Sequence, residues 1–275
     1  MRKINIQMYS FADGKHDDDR ENLKAAAQMG YDGVELFGPN FRIPPEEMRE
    51  LLGELGLTPV SLHAPSTDLV TELIPYACTV GMKFIGIGMQ LMKDDEAVHA
   101  FAKRLNELGE ECRKNGLMLT YHNHTQEFVP CGDKTVIETL IDETDPELVG
   151  FELDAGWCAA AGCDPVEFVK QHSGRVKLIH VKESSEVIGP QPPLDFGELP
   201  KSENGMPVLP DEIRELLEHF DQINCAACEG LVDWGKLADA ADENGCEAYI
   251  VEREYSAGDR ISALQDDITK YRQVL

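Results

Sequence analysis

Eight short runs of β-branched, aromatic and aliphatic residues recur along this chain, at 4–10, 33–38, 58–64, 83–89, 117–124, 148–156, 175–183 and 247–254. Between them the apolar positions fall at helical spacing, and the first seven runs begin 25 to 34 residues apart, the length of one strand-plus-helix unit. Strands that alternate with helices pair in parallel through right-handed crossovers. Eight such units in about 250 residues fit a (β/α)8 TIM barrel, an α/β fold. The competing arrangement, an open doubly wound sheet, normally carries a glycine-rich phosphate turn after its first strand. Here the first run is followed by Phe-Ala-Asp-Gly-Lys-His-Asp-Asp-Asp-Arg (11–20), which lacks GxGxxG and whose acids would repel a pyrophosphate. The expectation is a single barrel domain spanning residues 1–275.

Helix signals agree with that order. Residues 17–30 open with three acids, which suit a helix N-terminus, and close on Gly30. Residues 44–56 place two prolines in the first turn and end on Gly56, and 95–116 repeats the logic up to Gly116. The period breaks once, between 183 and 247, where helices are predicted at 211–220 and 234–245. The remaining stretch, 187–210, holds six of the fifteen prolines and reads as a long loop after strand seven. Loops at that end of a barrel overhang the active-site mouth, which makes this one a candidate lid.

Charge and cysteine usage remove whole classes of function. With 51 acidic against 25 basic residues the net charge is −26, and no basic cluster is present to meet a nucleic-acid backbone or an anionic membrane surface. No apolar run reaches transmembrane length, and the N-terminus lacks the apolar core of a signal peptide, so a cytoplasmic protein is expected. Eight scattered cysteines fit a reducing compartment. Cys225 and Cys228 form one CxxC with no second pair to complete a zinc site, and read as structural.

Polar residues cluster at the C-terminal ends of six of the eight runs: Glu35, His63, His122 with His124, Glu152 with Asp154, His180 with Lys182, and Glu252 with Glu254. In a barrel, inward positions at that end face the mouth and carry chemistry. Polarity at the end of an apolar strand is costly unless the groups are paired or bind a metal. Carboxylates and histidines from different strands make an oxygen-rich site suited to one divalent ion, Mn²⁺ first, with Mg²⁺, Co²⁺ or Zn²⁺ as alternatives. Such an ion polarises a carbonyl and its neighbouring hydroxyl while nearby side chains move a proton on the carbon between them.

Several of these stretches resemble a known family. Tyr-His-Asn-His-Thr-Gln-Glu-Phe (121–128), Glu-Leu-Asp-Ala-Gly-Trp (152–157), Ile-His-Val-Lys-Glu (179–183) and Tyr-Ile-Val-Glu (249–252) are similar to motifs of the xylose isomerase-like TIM-barrel superfamily, and of its bacterial sugar phosphate isomerase/epimerase group in particular. The resemblance implies a divalent metal held by an acid near strand five, by Asp154, by His180 and by Glu252. Strand five itself reads Leu-Thr-Tyr-His-Asn-His, so the first acid is Glu127 just beyond it, unless His122 or His124 takes the place. It further implies His124 and His122 as proton carriers, Lys182 on a substrate oxygen or enolate, Trp157 at the start of the loop after strand six lining the sugar pocket, and Glu35 and His63 as substrate contacts. Cys228-Glu229-Gly230-Leu-Val-Asp-Trp234 is similar to the group's GEGxVDW with one glycine missing.

The activity implied is isomerisation or epimerisation of a keto-sugar or related polyol ketone through an enediolate. A lyase or dehydratase of a keto-sugar, inosose or 3-keto-glycoside uses the same metal site. A related DNA-repair endonuclease is disfavoured by the charge of −26. A sugar-binding barrel without catalysis stays open, because Thr120 occupies a position where other members carry an acid. The partner is a small carbohydrate, read as unphosphorylated or lightly charged for want of a basic cluster, and the resemblance allows a homo-oligomer.

Overall fold

The computed structural model describes residues 2–194, 199 and 208–275. Strands β1 (Ile4–Gln7), β2 (Gly33–Leu36), β3 (Thr58–Ala64), β4 (Phe84–Ile87), β5 (Met118–His122), β6 (Val149–Asp154), β7 (Val176–Val181) and β8 (Ala248–Val251) each lie within one of the predicted runs. They pair in parallel in chain order, and β8 closes on β1 through Ile4 opposite Tyr249 and Ile6 opposite Val251. This is the expected closed (β/α)8 barrel.

Ten helices are found among the described residues: α1 (Asp19–Met29), α2 (Pro45–Leu55), α3 (Val70–Val80), α4 (Asp95–Lys114), α5 (Val136–Glu143), α6 (Ala155–Ala160), α7 (Pro165–Gln171), α8 (Asp211–Ile223), α9 (Trp234–Glu243) and α10 (Arg260–Val274). Helix α1 starts where the acids predicted: Asp18 caps the N–H groups of Arg20 and Glu21, and the helix stops at Gly30, whose φ of 93° only glycine adopts at no cost. After β5 the chain makes a 3-10 turn (Thr125–Phe128) and a small antiparallel hairpin (130–131 with 134–135), neither of which has a sequence signal of its own.

Alternation along the strands separates two apolar layers. Ile179 and Val181 of β7 point outward into the layer shared with the helices. Leu178 points inward and packs with Val60, Phe84 and Ile250 on a separate floor inside the barrel. The next inward positions of β7 are His180 and Lys182, and those of β6 are Glu152 and Asp154, so each strand climbs from an apolar floor to a polar mouth. Pairing register shifts immediately before Glu35 on β2 and immediately before Glu152 on β6. Bulges of this kind re-aim side chains beside sites.

One reading changes at the mouth. Trp157 lies within helix α6 rather than in a loop, because Asp154 caps the Trp157 N–H at 2.7 Å. The long loop begins as expected, tied down where the N–H groups of Ile188 and Gly189 donate to the Ala160 carbonyl at 2.8 and 3.0 Å. Residues 195–198 and 200–207 of the candidate lid lie outside the described residues. Among the described residues no helix is long and apolar enough to cross a membrane, and all eight cysteines are free thiols.

Candidate active site

The predicted strand-end residues converge at the C-terminal mouth in two tiers. In the upper tier one ligand-type atom from each of His122, Asp154, His180 and Glu252 lies within 4.8 Å of the others. His122 Nε2 is 3.9 Å from Asp154 Oδ2, and His180 Nδ1 is 3.4 Å from Glu252 Oε2. Asp154 Oδ2, His180 Nδ1 and Glu252 Oε2 are buried without a hydrogen-bond partner among the described residues. A buried polar atom left unpaired is costly, and two carboxylates with two imidazoles are a fitting donor set for a first-row divalent ion or zinc. The residues present therefore fit a metal.

The lower tier orients the two histidines. His180 Nε2 faces Glu35 at 2.7 Å and Glu152 at 3.2 Å, while His122 Nδ1 faces Glu152 at 3.5 Å. His63 Nε2 bonds Glu152 at 2.6 Å and lies 3.2 Å from Glu35. Glu35 also accepts from Gln7 Nε2 at 2.6 Å and from the Ser61 hydroxyl. A carboxylate on one imidazole nitrogen holds the proton there and frees the other for a cation. His63, His122, Glu152 and His180 themselves form a second close group. Filling both groups would require His122 and His180 each to bridge two ions, so the two groups describe alternative places for a single ion. Room for His63 comes from β4, where a Cβ on Gly86 would sit 2.6 Å from the imidazole Cδ2.

Electrostatics follow this division. Burial raises the Asp154 carboxyl to about 8, with Glu252 adding to the rise. Burial also raises Glu35, beside Glu152. Against their burial, Glu152 is held well below the usual carboxylate range by His180 and His63, and Glu252 by His180 and Lys182. Burial pushes His122 down to about 3, with His180 adding to the fall. His180 and His63 would also be lowered by burial, yet the surrounding carboxylates raise both, His180 well above its ordinary value.

Of the other predicted residues, Glu127 is not brought into the upper tier. Its carboxylate accepts from the Tyr121 hydroxyl at 2.7 Å, the His124 N–H at 2.7 Å and Gln126 Nε2 at 2.9 Å, which fastens the turn after β5. His122 occupies the corresponding place in the cluster. His124 stands on the wall of the mouth, its ring edge-on to His122 with centroids 4.9 Å apart. Lys182 is buried, 2.6 Å from Glu254, 3.7 Å from Glu252 and 5.0 Å from the Trp157 ring. Glu152 was legible as a strand-end acid, but nothing local gave it a role. Its signal is its position two residues before Asp154, on the same inward face. Gln7 and Ser61 carry no such signal.

A closed parallel barrel that gathers imidazoles and carboxylates at the C-terminal ends of β5 to β8 defines a class of protein with a candidate divalent-metal centre. The chain belongs to the xylose isomerase-like TIM barrel family, whose model matches residues 23–274. It is similar to inosose dehydratase 2 of Bacillus cereus, 30% identical over 135 residues that cover 46% of this chain and 45% of that protein. The matched stretch thus spans less than half of that relative's length. Among solved structures it is similar to a sugar phosphate isomerase/epimerase from Parabacteroides distasonis, with TM-score 0.74, 19% identity, and coverage of 98% of this chain and 92% of that one. It is also similar to the IOLI protein with a binding zinc atom, with TM-score 0.71, 14% identity, and coverage of 99% and 97%. At such identities these two likenesses speak to the fold.

Proposed function

We propose that this protein is a divalent-metal-dependent isomerase or epimerase that moves a proton on the carbon beside the ketone of a keto-sugar or related polyol ketone. The observation that carries this reading is the buried quartet His122, Asp154, His180 and Glu252, three of whose atoms lack a partner among the described residues. His122 and Glu252 also line a cavity of about 430 Å³ that opens at the barrel mouth. An ion held by the quartet supplies Lewis-acid polarisation of the ketone and its neighbouring hydroxyl; Mn²⁺ suits the donor set, as do Mg²⁺, Co²⁺ and Zn²⁺.

The chain's own residues do the remainder. His124, on the cavity wall, takes the proton from the carbon and returns it. Lys182, buried behind the cavity wall between Glu254 and Glu252, adds positive potential near the site where the enediolate charge grows without itself lining the cavity. Glu35 and His63 hold the upper tier in register from below. Return of the proton by His124 to the adjacent carbon on the same face interconverts ketose and aldose, whereas inversion of the carbon takes a second proton donor on the opposite face of the planar enediolate. Loss of a β-hydroxyl as water from the same enediolate gives a dehydratase, and the 30% identity to an inosose dehydratase favours keeping this second reading.

Metal analysis of protein purified without chelator tests the proposal. About one divalent ion per chain is expected, absent from Asp154→Asn and Glu252→Gln, with solvent deuterium entering a keto-sugar only in the loaded protein. A growing enone absorbance in place of deuterated sugar selects the dehydratase. Wild-type protein that carries no ion and takes up no added Mn²⁺ sinks both readings.

A further inference from the structure

The cavity over the quartet continues sideways. A second cavity of about 360 Å³ lies between α6 and α8, and the two share Tyr9, Met89, His124 and Glu254 along their common edge. The first sets imidazoles and carboxylates beside Phe37 and Met89, whereas the second sets Trp157, Leu194, Leu217 and Phe220 beside the polar Gln126, Gln191 and Asp221. Each is large enough for a small ligand by itself. A monosaccharide placed at the quartet therefore leaves the second cavity unfilled.

Three observations say what fills it. A helix normally buries its apolar stripe, yet Ile213, Leu216, Leu217 and Phe220 of α8 are only half-buried, and two of them face this cavity. Trp157 is buried, edge-on to Phe220 at 5.3 Å, and its Nε1 has no hydrogen-bond partner among the described residues. A buried indole N–H usually finds an acceptor. Finally, among the described residues no lysine or arginine lines either cavity, while Glu254 and Asp221 do. Lys182, the nearby cation, is committed to Glu254 at 2.6 Å.

Resting on the keto-sugar reading above, we infer that the substrate is a glycoside whose uncharged aromatic substituent occupies the second cavity, against the wall that Trp157 and Phe220 form together, with a substituent oxygen accepting from Trp157 Nε1. A phosphate in the same place would face two carboxylates and no cation. An aromatic ring there would cover Leu217 and Phe220 of the half-buried stripe of α8 and pack into the corner that Phe220 makes with Trp157.

The experiment titrates Mg²⁺-loaded protein with methyl and phenyl β-D-glycosides of glucose, galactose and xylose, and with glucose 6-phosphate, followed by tryptophan fluorescence and calorimetry. For at least one sugar the phenyl glycoside should bind at least about tenfold more tightly than the methyl glycoside. The fluorescence change should vanish in Trp157→Phe, and Phe220→Ala should shrink the phenyl-to-methyl ratio severalfold. Equal affinity for phenyl and methyl glycosides, or tighter binding of glucose 6-phosphate than of methyl glucoside, overturns the inference and leaves the keto-sugar reading standing. If the metal-loaded protein binds none of these ligands yet puts solvent deuterium into a keto-sugar, the inference alone falls; if it also leaves keto-sugars unlabelled, the keto-sugar reading falls and takes the inference with it.

Discussion

At Cys228 the backbone turns through a φ of 64°, in the left-handed region that costs a residue with a side chain about 1–2 kcal/mol. The turn exists to bring the Cys228 N–H to Glu183 at 2.6 Å, alongside Trp234 Nε1 at 2.6 Å and the Tyr271 hydroxyl at 3.1 Å. The glycine missing from the GEGxVDW-like segment is the one this backbone favours. Cys228→Gly should therefore raise stability by roughly 0.5–1 kcal/mol, once the extra freedom of glycine in the unfolded chain is subtracted. Urea denaturation measures it, and unchanged or lower stability would refute the strain argument. Glu127 shows the opposite limit of reading residues one at a time. In the structure it is the acid of a capping box, accepting from the His124 N–H at 2.7 Å, a local role that competes with metal binding and that a histidine at the cap position does not announce. Residue type put acids and histidines at the mouth, but only the fold determines that Glu127 turns into its own turn while His122 faces Asp154.

At the scale of elements, the strands were legible because each combines an apolar run with the period of a βα unit. Helices α1, α2, α4, α8 and α9 announced themselves through caps and amphipathic spacing. Helix α6 did not. Its six residues are small or aromatic and all are buried, so no polar face exists to set a period. What starts it is Asp154, which serves both as N-cap and as a candidate metal ligand. These roles separate in metal-free protein. Asparagine caps a helix about as well as aspartate, and alanine does not, at a cost of about 1 kcal/mol. Asp154→Asn and Asp154→Ala should both lose the metal, but Asp154→Ala should unfold at lower urea than Asp154→Asn by that amount. Coincident unfolding curves would mean that α6 is held by packing alone.

Over the whole molecule, the barrel confines acids and imidazoles whose titrations pull in different directions, and the pH dependence of stability tests how the site is charged. Asp154, raised from 3.8 to about 8, keeps in the folded state a proton that the unfolded chain has released, so its contribution falls as pH climbs toward 8. His63 and His180 are raised, so their contributions, full below 6.5, are lost as pH rises through their folded values. His122, lowered from 6.5 to about 3, works the other way: its contribution is lost as pH falls below 6.5, which offsets the Asp154 slope there. Between pH 6.5 and 8 the Asp154 and raised-histidine contributions therefore act together, and metal-free protein should lose about 1–2 kcal/mol across that window. A divalent ion requires the carboxylate deprotonated and takes the place of its proton. Saturating Mn²⁺ should then stabilise the protein more at pH 8 than at pH 6.5 and flatten the decline. A chain of net charge −26 gains some stability from any divalent salt through screening. Glu252→Gln is therefore the control, since it keeps the surface and removes a ligand. Thermal unfolding at the two pH values, with and without Mn²⁺, decides the matter: a metal-free stability that does not fall toward pH 8, or an Mn²⁺ effect equal in wild type and Glu252→Gln, would show that the buried carboxylates are not waiting for a cation.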